Sequence, residues 1–207
     1  MSELFDIYDE ALNHIGVKER DEVHRDGDWH QVFHCWVIGR EADGGPFLVL
    51  QKRREHLDYP GKIDISAAGH LAAGETVRDG PREIEEELGL RVNFEDLIPL
   101  GRRLGVSRLG DFVDCQICHV FFYETDQALA DYSYSRAEIA GLLKLRLADA
   151  LRLFSEEVDC VDAAAEGLGA AKVPVTRADY IPSIDNYVMK ILILVQRFFA
   201  GETELWI

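Results

Sequence analysis

Little in this 207-residue chain could cross a membrane or set up a disulfide framework. Cysteine is sparse: Cys35, Cys115, Cys118 and Cys160 are the 4 present. Three of them lie in apolar contexts, which suits buried thiols in a reducing compartment better than a cross-linked scaffold. Long apolar runs are missing as well. The most apolar stretch, 191–195, is flanked by Lys190 and Arg197 and falls far short of the ~20 residues that a spanning helix needs. The opening segment MSELFDIYDE carries acids where an export signal would carry a basic end and an apolar run. These absences predict a cytoplasmic protein. Positive charge is short too, with 22 Lys plus Arg against 38 Asp plus Glu and a net charge of -16. That balance repels phosphate backbones and anionic lipid heads. It argues against a nucleic-acid polymer or a membrane as partner and leaves small molecules.

What is there suffices for a packed core: 47% of residues are apolar and 29% charged, near the average for globular domains and far from the disordered regime. The length predicts a single domain over 1–207, with a less regular C-terminal extension from about residue 155 packed on the same core. No internal repeat is visible. Residues 3–10 read as a short strand, and 13–16 as a turn leading into the charged segment KERDEVHRDGD. Two β-rich runs, 31–38 and 47–51, flank the breaker EADGGP and read as an antiparallel hairpin. A short strand at 63–67 and a helix over 76–88 closed by Gly89 come next, then strands at 97–104, 115–123 and 142–147. A helix over 148–156 is followed by the Ala- and Gly-rich segment 157–173, which reads as a loop. A last amphipathic helix is expected over 183–199, with Ser183 as its start signal.

The informative segment is 69–90, GHLAAGETVRDGPREIEEELGL. At ~100° per residue, Glu83, Glu86 and Glu87 fall within an arc of about 100°. Ile84 and Leu88 project from a neighbouring face, and Glu85 points away. Like charges at i,i+3 and i,i+4 disfavour a helix, and two of the acids sit near its C-terminal end, where the dipole prefers cations. Arg82 can pair with Glu86 but cannot neutralise all three. A hard divalent cation would relieve the repulsion, whereas an ordinary acidic helix run simply faces solvent.

The spacing decides between these. Gly69, five residues, Glu75, then Arg82-Glu83-Ile84-x-Glu86-Glu87-x-Gly89-Leu90 closely resembles the Nudix hydrolase box. The resemblance implies an α/β/α sandwich around a mixed β-sheet, closed here by the C-terminal helix, and a small-molecule diphosphate as substrate. It also implies Mg²⁺ or Mn²⁺ held by Glu83, Glu86, Glu87 and the backbone carbonyl of Ala68. Arg82 would orient the glutamates, Glu75 would support the loop or helix start, and Glu83 and Glu87 are the candidate general bases. Family members are often homodimers. One departure stands out: the box glutamate and the Arg are separated by six residues here, 76–81, where the pattern has seven. The helix start must be remodelled, with Pro81 suited to its first position.

More of the chain, from about residue 3 to about 154, is similar to the Nudix proteins related to isopentenyl-diphosphate isomerase. In those isomerases a metal is held by histidines matched here by His24, His30 and His70, while a Cys and a Glu transfer protons. Here Ala68 stands at the Cys position and Gln116 at the Glu position, with Asp114 two residues earlier. Neither an alanine nor an amide can act as acid or base. The expectation is therefore a hydrolase on an isomerase-like scaffold, the alternatives being an isomerase-like enzyme and a non-catalytic diphosphate-binding regulator. Lys52, Arg53 and Arg54 follow a core strand and are candidates for the diphosphate. His34 alternates with apolar neighbours and reads as structural. Cys115 and Cys118 are three apart on a strand, point to opposite faces, and read as core.

Overall fold

The structure, a computed structural model, describes residues 3–207. Strand β1 (Leu4–Tyr8) turns back into β2 (His14–Glu19), with which it pairs antiparallel. The reversal precedes the expected one. The Asp9 carboxylate accepts the N–H groups of Ala11 at 2.9 Å and Asn13 at 2.8 Å, closing the turn before residue 13. The charged segment that follows folds as α1 (Arg20–Asp26), which buries Val23 and His24.

The long hairpin forms as patterned, from β3 (Trp29–Arg40) and β4 (Pro46–Arg53). Its ladder spans only Val37↔Val49 to Arg40↔Pro46. On the side away from the hairpin loop, β3 pairs instead with β6 (Ala67–His70) and β4 with β5 (Ile63–Asp64), so the sheet forks. Strands β7 (Ile98–Leu109) and β8 (Phe112–Glu124) form a second hairpin, and β8 lies parallel to β3. That pairing makes the sheet mixed. Beside β4 come β9 (Ile139–Arg146), β10 (Val161–Glu166) and β11 (Lys172–Val175), giving the order β11-β10-β9-β4-β3-β1-β2. Segment 157–173, read as a loop, thus contributes β10 and the start of β11. Its inward side is carried by Val161 and the fully buried Ala163, and an alternation built largely on alanine gives almost no hydropathy signal.

Strand alternation divides the core in two. Trp36, Ile38, Leu48, Leu50, Val120 and Phe122 face α3 (Leu147–Phe154) and α4 (Tyr187–Phe199). Phe33, Cys35, Val37, Val49 and Phe121 face the opposite helix, α2 (Pro81–Leu88). The result is an α/β/α sandwich. Helix α4 starts later than expected because Asn186 adopts a left-handed conformation at φ 55°, while the Ser183 hydroxyl accepts the Tyr187 N–H at 3.4 Å. Cys115 and Cys118 are buried free thiols. No helix among the described residues is long and apolar enough to cross a membrane.

Candidate active site

The helix expected over 76–88 is divided in two. A 3-10 turn, Val77–Asp79, is closed by Asp79, which accepts both the N–H and the hydroxyl of Thr76 at 2.8 and 2.9 Å. Helix α2 then opens with Pro81, whose missing N–H costs nothing at that position. Gly80 lies between them against the Phe33 ring, and a Cβ there would come within 2.2 Å of it. This junction absorbs the missing residue. Arg82 still reaches Glu75 through two 2.9 Å hydrogen bonds from Nε and Nη2, and Nη2 also donates to the His70 carbonyl at 2.9 Å. Its Nη1 lies 2.6 Å from Glu83 and 3.6 Å from Glu86.

The three glutamates are not equivalent. Glu83 and Glu87 are buried, while the Glu86 side chain is 63% exposed. Glu85 points away, paired with Arg91 at 2.7 Å. Glu87 projects into the fork of the sheet, where its Oε2 accepts the Ala68 N–H and the Gln51 amide, both at 3.1 Å. Gln51, buried on β4, was not singled out from the sequence. Its signal is a polar residue ending the apolar run FLVL. Glu83 lies flat against Gly69: a Cβ at that position would be 1.9 Å from the carboxyl carbon, so a larger residue there would push the Glu83 carboxylate aside.

Burial sets the electrostatics. It pushes the Glu83 carboxyl up to about 7, with Glu86 adding to the shift and Arg82 opposing it. Glu87 is raised well above the ordinary carboxylate range, first by burial and then by Asp64, Glu138 and Glu83, against the Ala68 N–H. Two desolvated carboxyls one turn apart require either protons or a cation. Their oxygen donors fit a hard divalent ion.

On the other face of the fork lies a cleft of about 210 Å³, walled by Trp36, Arg53, Ala68, His70, Gln116 and Tyr187 among others. The carboxylates stand behind its Ala68–Gly69 wall. Of the three candidate cations, Arg53 lines the cleft, held by Asp64 at 2.9 Å and the Asp58 carbonyl at 2.7 Å. Lys52 and Arg54 are not brought into it. Lys52 follows the alternation of Leu48 and Leu50 onto the α3–α4 face, within electrostatic reach of Asp179, and the Arg54 N–H donates to the Glu138 carbonyl at 3.0 Å.

The histidines form a second cluster at the end of the same cleft. His24 Nδ1 donates to the Arg20 carbonyl at 2.8 Å, and His30 Nδ1 to the Asp28 carbonyl at 3.0 Å. Each bond fixes the tautomer and leaves Nε2 with a free lone pair. The Nε2 atoms of His24, His30 and His70 and the Oδ1 of Asp114 are all buried and lack hydrogen-bond partners among the described residues. They lie within 4.8 Å of one another. Burial lowers the pKa values of His24 and His70, which keeps these rings neutral. Phe5 stacks on His70 with centroids 4.7 Å apart. Four orphaned donors of this kind fit a transition-metal ion. His34 is excluded: its Nδ1 meets the Tyr187 hydroxyl at 3.0 Å, and burial holds its pKa down to about 3.

No model of a known protein family matches the chain. An uncharacterised Nudix hydrolase of Clostridium acetobutylicum is 38% identical over 160 residues, 77% of either chain. An isopentenyl-diphosphate isomerase of Clavibacter michiganensis is 31% identical over 122 residues, 58% of this chain and 61% of its own length. Among solved structures, an Ap4A hydrolase of C. elegans shares the fold with a TM-score of 0.51 at 15% identity, over 83% of this chain and 98% of the other. The Clostridium match, spanning most of both chains, establishes that this chain belongs to the Nudix hydrolase family.

Proposed function

We propose that this enzyme cleaves a phosphoanhydride bond in an organic diphosphate, nucleoside or other, using Mg²⁺ or Mn²⁺ held by Glu83, Glu86, Glu87 and the Ala68 carbonyl. The observation that carries the reading is the buried Glu83–Glu87 pair set directly behind Ala68–Gly69, the wall of the cleft. A bound divalent ion would neutralise charge developing on the phosphoryl group and acidify a water. Glu83 and Glu87, whose proton affinities are raised by burial, are the candidate bases for that water. Arg82 holds the glutamates in place through Glu75 and the His70 carbonyl. Arg53 is placed to exchange Asp64 for a substrate phosphate. The His24, His30, His70 and Asp114 cluster is read as a separate divalent centre that favours a borderline-soft ion such as Zn²⁺.

The deciding experiment is a panel of nucleotide sugars, dinucleotides, oxidised nucleotides and isoprenoid diphosphates, assayed with Mg²⁺ for release of phosphate or nucleotide. Turnover of one class, lost on chelation, is the expected result. Binding without turnover across the panel would favour a diphosphate-binding regulator. The isomerase alternative is disfavoured by Ala68 and Gln116, both in the cleft wall, since neither can transfer a proton. Enzyme-dependent formation of dimethylallyl diphosphate from isopentenyl diphosphate would reinstate it.

A further inference from the structure

We infer that Gln116 is a positioning residue of the histidine centre: its amide aims Asp114 at the metal and keeps the site four-coordinate. The inference rests on reading the His24, His30, His70 and Asp114 cluster as a metal site. The two oxygens of Asp114 have different surroundings. Oδ1 faces the imidazoles, 3.3 Å from His30 Nε2 and 3.7 Å from His24 Nε2. Oδ2 accepts the Gln116 Nε2–H at 2.8 Å. A carboxylate accepts only, so the amide must turn its nitrogen toward Asp114 and its oxygen away.

That oxygen has its own partner. Cys118 Sγ lies 3.5 Å from Gln116 Oε1. Burial pushes this thiol up to about 12, so it keeps its proton and donates. Arg103 Nη1 sits 3.6 Å from the same sulfur, and its guanidinium is fixed by Asp185 at 2.8 and 2.9 Å. The donors thus run in one direction, from Arg103 through Cys118 and Gln116 to Asp114. His24 and His30 are oriented in the same manner, by the carbonyls of Arg20 and Asp28. Among the described residues, every ligand but His70 therefore has a partner fixing the atom opposite its metal-facing one.

The amide also limits the coordination number. A glutamate at 116 would set two carboxylates about 2.8 Å apart, and the repulsion would be relieved by turning the new carboxylate onto the metal as a fifth ligand. Gln116 spans the same distance with a donor and stays outside the shell.

The test is Co²⁺ titration of the chelator-stripped full chain in excess Mg²⁺, which keeps the carboxylate centre on α2 occupied. Wild type should take up one Co²⁺ with the intense visible absorption of a four-coordinate ion. Gln116→Leu should bind about 10- to 100-fold more weakly while its metal-free melting temperature stays close to wild type. Gln116→Met, closer in shape, should do the same should the leucine variant fold poorly. Gln116→Glu should retain Co²⁺ but lose the intense band. Wild-type affinity in both apolar variants, or an unchanged spectrum in Gln116→Glu, would overturn the positioning role. Absence of stoichiometric Co²⁺ binding by wild type, or full binding by His30→Ala, would instead remove the metal site itself. Neither result bears on hydrolysis at the glutamates.

Discussion

The carboxylate centre and the histidine centre meet at one short strand, β6, yet they differ in every property that selects a ligand. Behind Ala68–Gly69, Glu83 and Glu87 offer hard oxygens from a single helix turn, with Glu86 open to water. In front, His24, His30, His70 and Asp114 offer three nitrogens and one oxygen, drawn from α1, β3, β6 and β8 and all but closed to water. Desolvation acts on both with opposite sign: it raises the carboxyls and lowers His24 and His70. Burial in the first centre therefore favours the protonated carboxyls, and a bound cation would take the place of the protons. In the second, burial disfavours the charged forms of His24 and His70, which leaves their Nε2 lone pairs open to a ligand. An exchangeable hard ion suits the first and a resident softer ion the second.

The largest effect that would break this contrast is on turnover. Glu87→Gln should lower hydrolysis of the best panel substrate by at least tenfold, roughly 1.4 kcal/mol of barrier, with the fold intact. Glu86→Gln, whose side chain is exposed, should lose less. Steady-state rates at saturating Mg²⁺ check both, and wild-type turnover in Glu87→Gln would move the catalytic centre away from α2.

How far each centre was legible follows from its construction. The carboxylate box is contiguous, so helical spacing put Glu83, Glu86 and Glu87 on one face, while the resemblance to the Nudix box added Glu75, the role of Arg82 and the helix start near Pro81. The candidate ligands His24, His30, His70 and Asp114 are scattered over four elements. One of these, α1, was hidden in the segment KERDEVHRDGD, whose single inward turn carries Val23 and His24 and shows no periodicity. Asp114 entered only as a neighbour of Gln116. Gln51 was missed because nothing local says that β3 and β4 part company at the fork. Strands with bulky alternation were read to within a few residues, whereas β10, built on alanine, was not.

A smaller effect should appear in stability. An ion that binds only the folded carboxylate centre stabilises it by RT ln(1 + [L]/Kd), about 2.7 kcal/mol at a hundredfold excess over Kd. For a domain of this size that raises the melting temperature by very roughly 5 to 10 °C. The shift should shrink in the Glu86→Gln, Glu87→Gln double variant and should not be reproduced by NaCl of matched ionic strength. An equal MgCl₂ shift in both proteins would mean that the ion sits elsewhere.

The pH dependence sharpens the same point. The Glu83 carboxyl is raised on folding from its ordinary value of 4.5 to about 7. The stability contributed by this group is therefore present below pH 4.5 and lost as pH rises through 7. In metal-free protein, the melting temperature of wild type relative to Glu83→Gln should fall across that window. Saturating Mg²⁺ should flatten the difference, because the ion takes the place of the proton. A flat difference without metal would show that Glu83 is already charged in the folded protein.

The smallest effect belongs to Glu85, which shares α2 with Glu83, Glu86 and Glu87 but none of their surroundings. Its side chain is 50% exposed and, among the described residues, pairs only with Arg91, itself 88% exposed, at 2.7 Å. Exposed pairs of this kind contribute about 0 to 1 kcal/mol. Glu85→Gln should therefore leave turnover, the Mg²⁺ melting shift and its pH profile within error of wild type. Charge is removed from the same helix, one or two residues from Glu83, Glu86 and Glu87, so the variant separates position from helix charge. Should Glu85→Gln slow hydrolysis as much as Glu87→Gln, the net charge of α2 would be acting at long range, and the buried geometry behind Gly69 would lose its special standing.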